Sequence, residues 1–137
     1  MADQRSKIEF AADVTRLDEV RCEITRLCRE WGVDDLTTLR FVLAIDEASA
    51  NAIEHGRLGD GATIEIGVGL RGHELTARIV DRGPAFDPTQ GNDFDPVSVT
   101  RRKRGFGLYL MSLIARTIEY ERTASDENSL TVTIPVH

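Results

Sequence analysis

Residues Phe41 to His55 read FVLAIDEASANAIEH, and the fold turns on how that stretch is read. At about 100° per residue, Leu39, Phe41, Val42, Leu43, Ile45, Ala50, Ala52 and Ile53 occupy most of the circumference, which predicts a helix buried on nearly every side. What remains is a polar strip about 60° wide that holds Arg40, Glu47, Asn51 and Glu54. Glu47 and Asn51 stand one turn apart and project side by side. A solvated face is the usual fate of such a strip, but apolar surface this wide predicts a strip that borders a cavity. Asp46 points about 100° away from Glu47 and is not expected to substitute for it.

Outward from this helix the punctuation is regular. Asp34 and Asp35 supply its N-cap and Gly56 its end. Before it, Leu17, Val20, Ile24, Leu27, Cys28 and Trp31 recur at helical spacing, with Asp13 or Thr15 as cap and Gly32 as terminator. Lys7 to Phe10 alternates like a half-buried edge strand. After the helix, Leu58 to Gly61 is loop, and Ile64, Ile66, Val68 and Leu70 alternate on one strand. A turn at Arg71 to Glu74 leads to a second strand carrying Leu75, Ala77 and Ile79, which predicts an antiparallel hairpin.

From Asp81 to Gly105 the periodicity dissolves, and a loop of that length in a small domain is usually functional, often a lid. Leu108, Leu110, Met111, Leu113, Ile114 and Ile118 then read as a helix. Glu119 to Thr123 and Leu130 to Val136 read as a closing hairpin around a polar turn at Ala124 to Asn128. The grouping predicts an α+β two-layer sandwich, a mixed and mostly antiparallel sheet with three helices on one face and the other face more open.

A chain of 137 residues suits one domain, taken as residues 1–137. No apolar run is long enough to span a membrane, and the first residues lack the apolar core of a signal peptide, so a cytoplasmic setting is expected. Net charge of −6 argues against a general nucleic-acid binder. Cys22 and Cys28, six residues apart on different faces, read as buried thiols and not as a metal site or disulfide.

Three short motifs carry chemistry. In Glu47-x-x-x-Asn51, the carboxylate can orient or deprotonate a hydroxyl, and the amide oxygen is a hard ligand suited to Mg²⁺. In Asp81-Arg-Gly83-Pro-Ala85-Phe-Asp87, a strand-end carboxylate can accept from an exocyclic amine, and a glycine lets a flat ring approach; a plain turn is the simpler reading of this motif alone. In Arg104-Gly105-Phe106-Gly107-Leu108, glycines open a helix whose N-terminal amides attract anions, beside the basic run Arg101 to Arg104.

Taken in order, Glu47-x-x-x-Asn51, Asp81-x-Gly83 and Gly105-x-Gly107 resemble the nucleotide-binding boxes of the gyrase, heat-shock chaperone, histidine kinase and MutL ATPase superfamily. AIDEASANAIEHG and RGFGLYLM in so small a domain resemble bacterial anti-sigma-factor serine/threonine kinases. The resemblance covers nearly the whole chain and implies a Bergerat-type fold that binds ATP and Mg²⁺, with a lid over about 82–106. It implies Glu47 as general base, Asn51 as Mg²⁺ ligand, Asp81 as the acceptor of the adenine amine, and Gly83 as room for the base. Gly105 and Gly107, flanked by Phe106 and Leu108, would bring amides to the phosphates, with Lys103 or Arg104 reaching in from the lid.

Two positions depart from the pattern. Ala85 stands where a second glycine is usual in the nucleotide-contacting loop, and Asn128-Ser129 stands where many relatives carry Gly-Thr. The implied partners are an anti-sigma-factor antagonist and a sigma factor, in a homodimer with its interface around the N-terminal strand and first helix. A module that binds ATP and its partner without transferring phosphate is the alternative. A histidine kinase catalytic domain fits poorly, because His55, His73 and His137 read as cap or solvated residues and no phospho-accepting hairpin is present.

Overall fold

Period-two alternation becomes five strands: β1 (Gln4–Ala11), β2 (Thr63–Arg71), β3 (Glu74–Asp81), β4 (Thr117–Arg122) and β5 (Asn128–Pro135). The computed structural model describes residues 3–55, 58–89 and 106–136, and at 55 and 106–109 the backbone only. The strands form one open sheet in the order β1-β2-β3-β5-β4, with β1 at an edge as its sequence suggested. Every pairing among the described residues is antiparallel, so the sheet is not mixed. The alternating apolar residues turn to one face, where Ile64, Ile66, Leu75, Ala77, Val132 and Ile134 are almost fully buried. Gly72, at φ 59°, makes the tight turn between β2 and β3 that an L side chain would strain.

Three helices cover that face: α1 (Leu17–Glu30), α2 (Asp35–His55) and α3 (Phe106–Ile114). Asp13 is the cap, its Oδ1 accepting from Thr15 N at 3.0 Å to start a 3-10 turn, Val14–Arg16, that runs into α1. Gly32, at φ 77°, ends the run. Asp34 caps α2 by accepting from Thr37 N at 3.0 Å, and Asp35 is the first helical residue. α2 sits over β3 and β5 and packs on both α1 and α3. Arg21 of α1 donates to Asp46 of α2, which holds the Asp46 carboxylate toward α1.

Four further expectations need correction. α2 is not buried on nearly every side, because Leu36, Leu39 and Leu43 are 56%, 55% and 47% exposed. They form an outward apolar stripe, while Phe41, Ala44, Ile45, Ala48 and Ser49 are buried. Cys28 is buried but Cys22 is exposed, since a spacing of six rotates it off the core face. Ile118 belongs to β4 and not to the third helix, which ends at Ile114. Asn128 opens β5 and is buried, so the polar turn stops before it. Among the described residues no helix is long and apolar enough to cross a membrane.

Candidate functional site

The antiparallel register sets Asp81, the last residue of β3, directly opposite Asn128, the first of β5. Both face the helices and both are buried, at 6% and 5% exposure. Asp81 Oδ1 accepts from Gly83 N at 2.9 Å, closing a local turn, and from Asn128 Nδ2 at 2.9 Å. The same Nδ2 reaches Pro84 O at 2.9 Å and Gly83 O at 3.4 Å. On its other side, Asn128 Oδ1 accepts from Phe86 N at 3.2 Å, Arg122 Nη1 at 3.3 Å and the Tyr120 hydroxyl. Acceptors crowd one end of this amide and donors the other, so the chemistry of the neighbours fixes which way it points.

Opposite this network stands α2. Asn51 is 9% exposed, and its Nδ2 has no hydrogen-bond partner among the described residues. It joins Asp81, Asn128, Phe86, Pro88 and Tyr120 around a cavity of about 20 Å³. That is room for about one water molecule and not for a nucleobase. A ring can enter only when Phe86 and Pro88 withdraw.

One turn earlier, Glu47 lies in a different space. It lines a groove of about 140 Å³ between α2 and α3 whose other walls are apolar: Leu43, Ala44, Leu110, Met111, Leu113 and Ile114. Burial pushes its carboxyl above the usual range, and the nearby carboxylates of Asp46 and Glu54 push it further the same way. A carboxylate so placed is a stronger base than a solvated one, and it faces a mouth open enough for Leu110 and Leu113 to be 41% and 63% exposed.

The remaining sequence candidates fall in three groups. Gly83 is buried beside Asp81, and Ala85 is exposed two residues on, outside the lining of the small cavity. Phe106, Gly107 and Leu108 form the first turn of α3, which carries no acidic residue to repel an anion from the positive end of the helix dipole. Lys103, Arg104 and Gly105 lie outside the described residues.

Sequence reading did not single out Phe86, Pro88, Tyr120 or Arg122. Their only signal was closeness to Asp81 and to the Asn128-Ser129 departure. A larger hollow of about 450 Å³ shares Asp81 and Gly83. Glu9, Glu65, Asp81 and Glu127 outnumber Arg82 in its lining, and Arg82 lies 3.5 Å from Glu127, so the hollow is net acidic and disfavours phosphate.

An open antiparallel sheet, helices over one face, and polar groups gathered between α2 and the facing ends of β3 and β5 define the ATPase class of gyrase, heat-shock chaperones, histidine kinases and MutL. Residues 10–134 match the histidine kinase-like ATPase domain, and the chain belongs to that family. The crystal structure of the RsbU and RsbW domains of Rv1364c from Mycobacterium tuberculosis has the same fold, with a TM-score of 0.69 at 20% identity. The alignment spans 97% of this chain and 32% of that one, so this chain corresponds to about a third of its length. No curated protein matches the sequence.

Proposed function

We propose that this chain is an ATP-dependent protein serine/threonine kinase that acts as an anti-sigma factor, phosphorylating an anti-sigma-factor antagonist in a cytoplasmic partner switch. The observation that carries the reading is Glu47: a carboxylate of raised basicity in an apolar groove, one helical turn from a buried amide that shares a cavity with Asp81. A binding module without chemistry has no need of a base set in an open-mouthed groove.

Asp81 accepts the adenine amine once Phe86 and Pro88 move aside, and the α3 N-terminus holds the phosphates. Asn51 fits Mg²⁺ chemistry through its side-chain carbonyl oxygen, a hard ligand on a buried residue, while its Nδ2, unpartnered among the described residues, is a donor suited to an oxygen acceptor. Among the described residues no cluster of three ionisable ligands exists, which suits a cation carried mainly by water and phosphate oxygens. When bound, Mg²⁺ would neutralise charge on the transferring phosphoryl group. The substrate protein brings a Ser or Thr hydroxyl past Leu110 and Leu113 to Glu47. Glu47 takes its proton as the hydroxyl oxygen bonds to the γ-phosphorus, and the bond from that phosphorus to the β–γ bridging oxygen breaks to release ADP. A homodimer with its interface around β1 and α1, and a sigma factor that competes with the antagonist, complete the proposed switch.

The test is incubation with labelled ATP and candidate antagonists. The wild-type chain is expected to label its antagonist, and Glu47→Ala to bind ATP normally while losing transfer by roughly 10²- to 10⁴-fold. A wild-type chain that binds ATP and labels no partner establishes the binding-only module instead, and unchanged transfer in Glu47→Ala removes Glu47 as the base.

A further inference from the structure

Asn128 occupies the place where the sequence departs from the family pattern, and it is the most connected side chain of the site. Its Nδ2 has two hydrogens, and the two nearest acceptors, Asp81 Oδ1 and Pro84 O, are both 2.9 Å away. Its Oδ1 faces three donors on two different elements, the backbone of Phe86 and the side chains of Tyr120 and Arg122 on β4. Nothing is left over to contact a ligand. A residue whose hydrogen bonds are all spent on the protein does not read a base itself; it determines how its neighbours do.

Two of those neighbours matter. Asp81 Oδ1 is committed to Asn128 and to Gly83 N, so the carboxylate is pinned by two N–H donors on one oxygen. Among the described residues the side-chain hydrogen bonds of Asp81 fall on that oxygen, and Oδ2 is the acceptor offered to a ligand. Gly83 O takes a bond from Arg122 Nη1 at 2.7 Å, and Pro84 O and Phe86 N are tied to the same amide. The segment that lines the cavity is therefore held by two side chains, Arg122 from β4 and Asn128 from β5.

Resting on the nucleotide reading above, we propose that Asn128 is a specificity-determining positioning residue: it sets Asp81 to present a single acceptor oxygen to the 6-amino group of a purine. Its contribution acts only on ligands that carry that amine. Inosine triphosphate, with a 6-oxo group in the same place, gains nothing from the arrangement, and its oxygen faces a carboxylate oxygen. The selectivity is electrostatic and geometric, and it is separate from packing.

The experiment is equilibrium binding of ATP and of inosine triphosphate to the full chain and to Asn128→Ala, with thermal unfolding run alongside. The wild type is expected to prefer ATP. Asn128→Ala is expected to lose roughly 10- to 100-fold in ATP affinity, the scale of a hydrogen bond to a charged group. Its affinity for inosine triphosphate should stay within about twofold of wild type by the same reasoning, so that the preference collapses. Asn128→Leu, of similar volume and unable to donate, makes the same comparison if the alanine variant does not unfold cooperatively. In an Asp81→Asn background, Asn128→Ala should add little further loss, because the two residues act as one unit. Equal losses for both nucleotides, or a wild type without preference, would overturn the assignment. A wild type that binds neither nucleotide overturns the nucleotide reading and this one with it.

Discussion

The two walls of the site are built on opposite plans. The β wall, Asp81 with Asn128, Tyr120 and Arg122, is a buried network whose polar groups meet one another across β3, β4 and β5. The α wall, Glu47 and Asn51, is looser: Asn51 Nδ2 has no partner among the described residues, and Glu47 is half-buried in a groove walled by leucines. A satisfied network fixes geometry, because each bond would have to break for any one member to move. Unsatisfied buried groups raise the free energy of the empty protein and lower it again when a ligand supplies what is missing. Fixed geometry lies on one side of the site, and the proposed chemistry on the other.

This contrast can be broken most forcefully at Glu47. Burial of its carboxyl favours the protonated form in the folded chain, so the folded state binds the proton more tightly than the unfolded state does. Stability from this group is then fully present below the ordinary carboxylate range and declines as pH rises through the raised value. Glu47→Gln should therefore lose transfer by roughly 10²-fold or more while melting at a higher temperature than wild type at neutral pH. The gain should vanish below about pH 4. A variant that melts lower at neutral pH would mean that Glu47 supports the fold, and the contrast would fail.

On the β wall the same operation should go the other way. Tyr120→Phe deletes one bond to Asn128 Oδ1 and is expected to cost about 1 kcal/mol of stability in denaturant unfolding, with phosphoryl transfer at saturating ATP unchanged. A variant as stable as wild type would show that the network tolerates gaps. The smallest effect is expected at Glu54, whose charge is one of two that push Glu47 upward. Glu54→Gln should shift the acid limb of the pH–rate profile to lower pH, since less repulsion lets Glu47 ionise earlier. An unmoved limb would leave burial and Asp46 as the causes.

Most of the frame was legible before the structure. The order of elements, both hairpins, the edge position of β1 and the caps at Asp13 and Asp34 follow from local pattern and capping chemistry, which act within a few residues. The errors have a common source. Periodicity places Leu36, Leu39 and Leu43 on one stripe of α2, but not how exposed that stripe is: Leu36 and Leu39 are more than half exposed, and Leu43 borders the groove with α3. Asn128 carries the propensity of a turn residue, and only register with a residue 47 positions earlier places it in a strand opposite Asp81. Ile118 fits either period, and the short break after Ile114 decides for β4. Of the site, Glu47, Asn51, Asp81 and Gly83 could be nominated from motifs. Phe86, Pro88 and Tyr120 could not, because they are defined by who surrounds the cavity.

The small volume between Asn51 and Asp81 also carries a kinetic consequence. A space of about 20 Å³ admits no purine, so arrival of a nucleotide waits on a prior excursion of the 84–89 segment. Observed association rates should then climb with nucleotide concentration only until they reach the frequency of that excursion, and level off there. Apparent affinity is diminished by the fraction of time the segment spends withdrawn. Substitutions far from the phosphates could in this way make the protein a faster or slower reader of the cellular ATP level without touching any group that contacts ATP.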